Sequence, residues 1–252
     1  MTKWLTLLGL LGVLTLPLVF QLTPLEILKL KTFDSLVTEE KPSGYFTILN
    51  ITEEDIADEG GYPLSRQTLA QIQINLLRKG AIGVGWVLAF PQPDRFGGDF
   101  EFTESLAFAP SVLAMFENDN GEYPPTTGTV ILGDDKGGLN SKGVIENIEI
   151  LKNNANQGIA VARTDVDSLV RRLPLLLRTP DGWVPAYGTE VLKILAGADT
   201  YVIKTNENGL EEIRVKGLSP VPVDSLGRKW ISWVDTPQTD LREMDVENKF
   251  VF

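Results

Sequence analysis

The side chains in this chain that could do chemistry are carboxylates and arginines. There is no cysteine and no histidine, which excludes disulfides, thiolate metal sites, cysteine nucleophiles and any Ser-His-Asp relay, and removes the commonest metal ligand. What remains is a set of acids near turns: Glu53-Glu54-Asp55, Asp94 with Asp99, Asp134-Asp135, and Asp165 with Asp167 just ahead of Arg171-Arg172. Two carboxylates at a fixed separation could run acid–base hydrolysis. Oxygen ligands could hold a hard cation, and an arginine could take an anion.

Each group also has a plainer reading. Thr52 followed by three acids makes a good helix N-terminus, where acids oppose the dipole. Asp94 and Asp99 flank Phe96-Gly97-Gly98 without the spacing of a calcium loop. Arg66, in the turn Gly60-Gly61-Tyr62-Pro63-Leu64-Ser65-Arg66, either reaches an anion or caps backbone carbonyls. Arg171 and Arg172 either sense an anion or bridge Asp165 or Asp167 across the turn between them. The glycines of Gly133 to Gly138 are not followed by Gly-Lys-Ser/Thr, so they make no phosphate loop. No metal, no cofactor and no catalytic residue is expected.

These residues must be positioned by alternating strands and helices. Tyr45 to Ile51 reads as a strand, Thr68 to Lys79 as an amphipathic helix closed by Gly80, and Ala81 to Phe90 as a strand buried on both faces. Strand, helix, strand in that order predicts a right-handed parallel crossover. Ligands in such sheets sit outside the carboxyl ends of the strands, here Asn50 to Asp55 and Pro91 to Arg95. The candidate ligand-contacting residues are therefore Asn50, Arg66, Trp86 and Asp94, with Arg171 as a possible anion site. A helix over Phe102 to Ala109, a strand at Ser111 to Phe116 and a turn-rich surface excursion from Glu117 to Gln157 follow. Gly158 to Arg163 and Leu169 to Leu177 resume the strand pattern. A turn at Thr179 to Gly182, a helix carrying Tyr187, Val191, Ile194 and Leu195, and a hairpin through Asn208-Gly209 come next.

Two global features constrain the class. With 34 acidic against 23 basic residues the net charge is -11 and no basic stripe exists, which argues against nucleic acid as a partner. Trp4 to Leu22 carries no charged side chain and is long enough to cross a ~30 Å hydrocarbon core. A cleaved secretory signal and a buried core helix are its rivals, although the run ends without a small-x-small cleavage site. Thr23-Pro24-Leu25-Glu26 then reads as a helix entry. The division predicted is a membrane anchor over 1–22, a stalk helix over 23–41 and a main domain over 42–252. The fold class is α/β, with a single mixed, partly parallel sheet flanked by helices. Gly9 and Gly12 do not form a Gly-x-x-x-Gly interface, but membrane helices pair often enough that a homodimer is considered.

Lys31-Thr32-Phe33-Asp34 in the stalk, Gly61-Tyr62-Pro63-Leu64-Ser65-Arg66, Asp167 to Leu175, Val221-Pro222-Val223-Asp224 with Gly227-Arg228, and Ile231-Ser232-Trp233 follow one another in that order. The order of these motifs resembles the type-two CHASE domains, sensory modules associated with cyclases and histidine kinases. The similarity runs from about Leu25 to Phe252. The chain departs from the family at Asn50 and Gly85-Trp86, where aspartates are frequent, and at Leu64, which replaces an aromatic. The resemblance implies an extracytoplasmic sensor on the periplasmic side of an inner membrane, facing an unknown small-molecule or envelope ligand. It also implies a cytoplasmic output domain such as a nucleotide cyclase, histidine kinase or Ser/Thr kinase beyond Phe252. Lys249 to Phe252 reads as an unfinished strand, so a C-terminally truncated domain is expected. The alternatives are an anchored hydrolase using Asp94, Asp134 or Asp135, and an envelope scaffold.

Overall fold

The computed structural model describes Trp4, residues 23–37 and residues 40–252. Among the described residues no helix is long and apolar enough to cross a membrane. The expected span over Trp4 to Leu22 lies, apart from Trp4, outside them, and the structure gives it no support. The stalk is a helix over Thr23–Leu36, with Glu26 in its first turn and only Leu30 buried.

The strands, in chain order, are β1 (Phe46–Asn50), β2 (Gly83–Trp86), β3 (Ser111–Glu122), β4 (Thr129–Leu132), β5 (Leu139–Asn140), β6 (Val144–Ile145), β7 (Asn156–Ile159), β8 (Arg172–Pro174), β9 (Leu176–Thr179), β10 (Gly182–Pro185), β11 (Tyr201–Asn206), β12 (Gly209–Val215), β13 (Val221–Pro222), β14 (Arg228–Trp230), β15 (Gln238–Asp240) and β16 (Phe250–Val251). The main sheet has seven strands in the order β15-β1-β16-β2-β3-β6, with β7 also on β3. Every pairing in it is parallel except β3 with β6. The predicted crossover is present: β1 and β2 are parallel to the same central strand, β16, and the helix Arg66–Arg78 connects them.

Among the described residues, the single sheet expected from sequence is corrected to four. Three smaller sheets accompany the main one: β10-β9-β5, β13-β12-β11-β4, and β14-β8. The reason is edge occupancy. The far edge of β3 is taken by β7 and then β6, so strands from the Glu117 to Gln157 stretch pair with later segments, β4 with β11 and β5 with β9. That stretch is therefore structured and is not a surface excursion. The long strand expected over Leu169 to Leu177 is likewise two strands, β8 and β9, in different sheets.

Helices Arg66–Arg78 and Asp99–Leu106 pack one face of the main sheet, burying Leu69, Ile72, Leu76, Phe102 and Leu106 against Val84, Trp86, Leu113 and Val251. Helix Tyr187–Leu195 packs the other, with Tyr187 and Val191 on Val112, Ala114 and Phe250. Strand parity decides the faces. Val84 and Trp86 point to the first helix pair, while Gly85 faces Tyr187 so closely that any Cβ there would collide with the phenol oxygen. A second core, Trp183, Tyr201, Ile203, Leu210 and Ile213, sits under the β11–β12 hairpin.

Candidate functional site

Among the described residues the most heavily connected polar side chain is Arg171. Its loop is folded locally: Ser168 takes a positive φ of 66°, and backbone bonds Ser168 to Asp165 (3.0 Å) and Asp165 to Leu169 (2.8 Å) close the turn. Arg171 follows, immediately before β8, where its carbonyl accepts the Ile231 N–H at 2.8 Å. Alternation along the extended chain sends Arg171 and Arg172 to opposite sides. Arg172 stacks over Trp230 at 5.2 Å, donates to Asp165 and lies 3.6 Å from Asp224, which in turn holds Arg228 at 2.9 Å.

The Arg171 guanidinium reaches further. Nη1 and Nη2 donate to the two Asp167 oxygens at 2.8 and 2.7 Å, and Nη1 lies 3.4 Å from Asp165. Its Nε and Nη2 donate to Oδ1 and Oδ2 of Asp34, both at 2.7 Å, across 137 residues of sequence. That is the planar fork that lets arginine bind a carboxylate with two bonds. Beside it Phe33 packs on Trp230, with ring centroids 4.3 Å apart. This ion-pair network and this aromatic contact clasp the stalk helix to the domain, in addition to the burial of Leu30. The donation from Arg171 holds Asp34 below the usual carboxylate range. The same donor takes Asp167 down to about 2, and the bonds to Asp34 and then Asp167 raise Arg171. Every acid here is already paired, so the arrangement is a joint and offers no general base. Around it lies a groove of about 580 Å³ lined by Phe33, Asp34, Leu169, Arg171, Trp230 and Trp233.

Sequence reasoning paired Arg171 with Asp165 and Asp167 but missed Asp34. A local signal exists: Asp34 sits in the last turn of its helix, which has no basic residue. A carboxylate there is unfavourable to the helix dipole and calls for a partner from elsewhere.

The other candidates serve the architecture at the carboxyl ends of β1 and β2. Ser65 caps the Arg66–Arg78 helix through the Thr68 N–H at 3.0 Å. Asp94 Oδ2 accepts from the backbone N–H of Arg66 at 2.8 Å and of Gly98 at 3.2 Å, and Oδ1 from that of Phe96 at 3.1 Å. Burial opposes ionisation of Asp94, and these donors outweigh it, so its pKa is lowered. The Arg66 side chain donates to the Gln92 carbonyl at 3.1 Å, lies 4.2 Å over the Phe90 ring and stands 3.3 Å from Asp99. Burial pulls the Arg66 pKa down against the pull of Asp99 and Asp94. Arg66 also borders a cavity of about 240 Å³ with Ile51, Leu64, Leu69, Leu88 and Phe90.

Trp86 is buried. Its indole N–H donates to Gln73 at 2.9 Å, and Gln73 passes the chain on to Ser111 at 3.0 Å. Asn50 is half-buried and donates to Gln238 at 3.0 Å, tying β1 to β15. Of the five candidates only Arg66 and Asp94 are brought together. Thr52 and Asp55 form a capping box, the plainer reading of that acidic run. Asp134 and Asp135 pair with Lys136 and Arg178, respectively. They share no partner with Asp94, and among the described residues no group of acids is arranged to hold a metal.

The comparison with known families decides the class. The CHASE2 domain model matches residues 6–252. The chain belongs to the CHASE2 domain family. CHASE2 domains are extracellular sensory domains of signalling receptors and are not catalytic. No curated protein and no solved structure matches the chain.

Proposed function

We propose that this CHASE2 domain is the extracytoplasmic sensor of a membrane-anchored receptor, and that it passes its state to an output domain through the stalk helix. In this reading Trp4 to Leu22 crosses an inner membrane, the domain faces the periplasm, and the output is a nucleotide cyclase, histidine kinase or Ser/Thr kinase joined beyond Phe252. The observation that carries it is the Asp34–Arg171 pair. It is a bidentate contact between the helix leaving the apolar run and the body of the domain. A signal can move the stalk only by favouring one of two arrangements over the other, and a few side chains at one contact supply two such arrangements. Exposed Leu25, Leu28 and Leu36 on the stalk suit a second copy as the pairing partner. The test is a full-length receptor carrying Asp34→Asn or Arg171→Lys, assayed for output in membranes. Both variants should shift basal output in the same direction, with surface expression unchanged. Wild-type output in both would remove the stalk from the pathway.

A further inference from the structure

Arg171 holds three carboxylates, and they are not equivalent. Asp165 and Asp167 lie within six residues of it and their side chains are 5% and 9% exposed, whereas Asp34 comes from another helix and is 42% exposed. Asp34 is therefore the one that can leave. The arginine itself is 5% exposed, and once Asp34 moves away, its Nε and one edge of Nη2 lose their acceptor. A buried cationic donor without an acceptor is costly, so the released fork needs another carboxylate.

The space next to the fork favours a particular kind of replacement. The groove of about 580 Å³ has Phe33, Trp230 and Trp233 as aromatic walls, with Leu169 and Val37 beside them. Its size and its largely apolar lining, with Asp34, Ser168 and Arg171 as the polar side chains, fit a small-molecule site, and flat aromatic walls suit a flat apolar body. The charge balance also permits the exchange. Arg171, Arg172 and Arg228 face Asp34, Asp165, Asp167 and Asp224, and swapping one carboxylate for another leaves that sum unaltered. The Arg66 cavity lacks this property, because its guanidinium faces Asp99 while the Arg66 backbone N–H holds Asp94, so neither acid is set to leave and an incoming anion would be a third negative group.

We propose that Asp34 is an internal stand-in for a small aromatic or flat apolar carboxylate, which displaces it from Arg171, packs on the groove walls that remain with the domain (Leu169, Trp230 and Trp233) and frees the stalk helix. This rests on the reading of the Asp34–Arg171 contact as the point where the stalk is coupled. Binding and release then oppose each other through one site. Ligand affinity is reduced by the fraction of molecules in which Asp34 is docked, and removing Asp34 restores it.

The experiment uses the 252-residue chain in lipid nanodiscs, titrated by calorimetry with phenylacetate, indole-3-acetate and the uncharged phenylacetamide. The carboxylates should bind and the amide should not. Asp34→Asn should bind phenylacetate about tenfold more tightly, as expected when a docked competitor is removed. Arg171→Lys should lose binding, since an ammonium cannot offer the fork. Trp233→Ala, at a 61% exposed position outside the ion-pair network, should weaken binding while the circular dichroism spectrum and melting temperature stay at wild-type values. Equal binding of acid and amide, or no binding of either acid to wild type and Asp34→Asn, overturns the proposal. If no acid binds yet Asp34→Asn still shifts receptor output, the ligand inference fails alone and the coupling reading stands. If output is also unmoved, both fail.

Discussion

Arg66 and Arg171 are both arginines set among aspartates, yet they hold different things together. Every contact of Arg66 described above, from Phe90 through Asp94 to Asp99, comes from one loop and the helix it precedes. Asp34, the bidentate partner of Arg171, lies on the Thr23–Leu36 helix, 137 residues away in sequence. The quality of pairing differs as well. Arg66 Nε and Asp99 Oδ1 are buried without a hydrogen bond between them, and burial lowers the Arg66 pKa. Arg171 makes four bonds of 2.7–2.8 Å, and its pKa is raised. An arginine whose partners share one loop fixes that loop. One whose partner arrives from a separate element forms a joint, because its bonds can break without unfolding what lies on either side.

Three measurements would sharpen or break this contrast. The largest effect is expected from Arg66→Ala, which removes the guanidinium over the Phe90 ring and leaves the buried Asp99 Oδ1 without its cation. Urea denaturation should show a loss of about 2–3 kcal/mol. The distance between spin labels at Leu36→Cys and Leu226→Cys should not change; the native chain has no thiol to interfere. A moved stalk would mean that the two arginines are not independent.

The next effect belongs to the clasp. Asp34→Asn should leave the urea midpoint close to wild type while amide exchange in the stalk rises about tenfold, the order expected for lost charge-assisted hydrogen bonds. Acid should reproduce this. Asp34 and Asp167 have lowered pKa values in the folded state, so their contribution is present above the ordinary carboxylate value. It is lost as pH falls from that value, 3.8, toward the Asp167 value of about 2. The label distance should therefore be constant from neutrality to about pH 4 and lengthen below it. A transition near pH 6 would exclude these carboxylates as its cause.

The smallest effect should come from Ser65→Ala. Removing this helix cap costs about 1 kcal/mol, with Arg66 and Asp94 still in place. A loss of several kcal/mol would show that the cap and the Arg66 loop form one cooperative unit.

What could be read in the sequence was what is local. The Thr52–Asp55 capping box, the Gly80 helix end and the Asn208-Gly209 hairpin each depend on neighbours a few residues apart, and each was predictable. Strand length was harder. The apolar run from Ala81 to Phe90 pairs only over Gly83–Trp86, with β16 at Gly83 and Val84 and with β3 from Val84 to Trp86. The same run placed Trp86 at a strand end facing a ligand, whereas its parity turns the ring toward Phe102 and the core. The three smaller sheets escaped notice because β4 and β5 pair with strands that come much later, and no periodicity within one segment encodes a distant edge. The Asp34–Arg171 pair was hidden for the same reason, with only the ill-placed helix-end carboxylate to hint at it.

One further consequence concerns force. β16 lies between β1 and β2, parallel to both, and three backbone bonds join it to β1 and its flanks: Phe250 to Tyr45, Phe252 to Thr47 and Leu49 to Phe252. The stalk enters at the start of β1, and Phe252 lies at the opposite end of β16. Tension applied between these two points pulls the neighbouring strands in opposite directions along their length. All three bonds then share the load at once and do not open one by one like a zip. The sheet therefore resists a pull along its strands, and in the stalk-coupling reading proposed above the Asp34–Arg171 contact is the element that yields first.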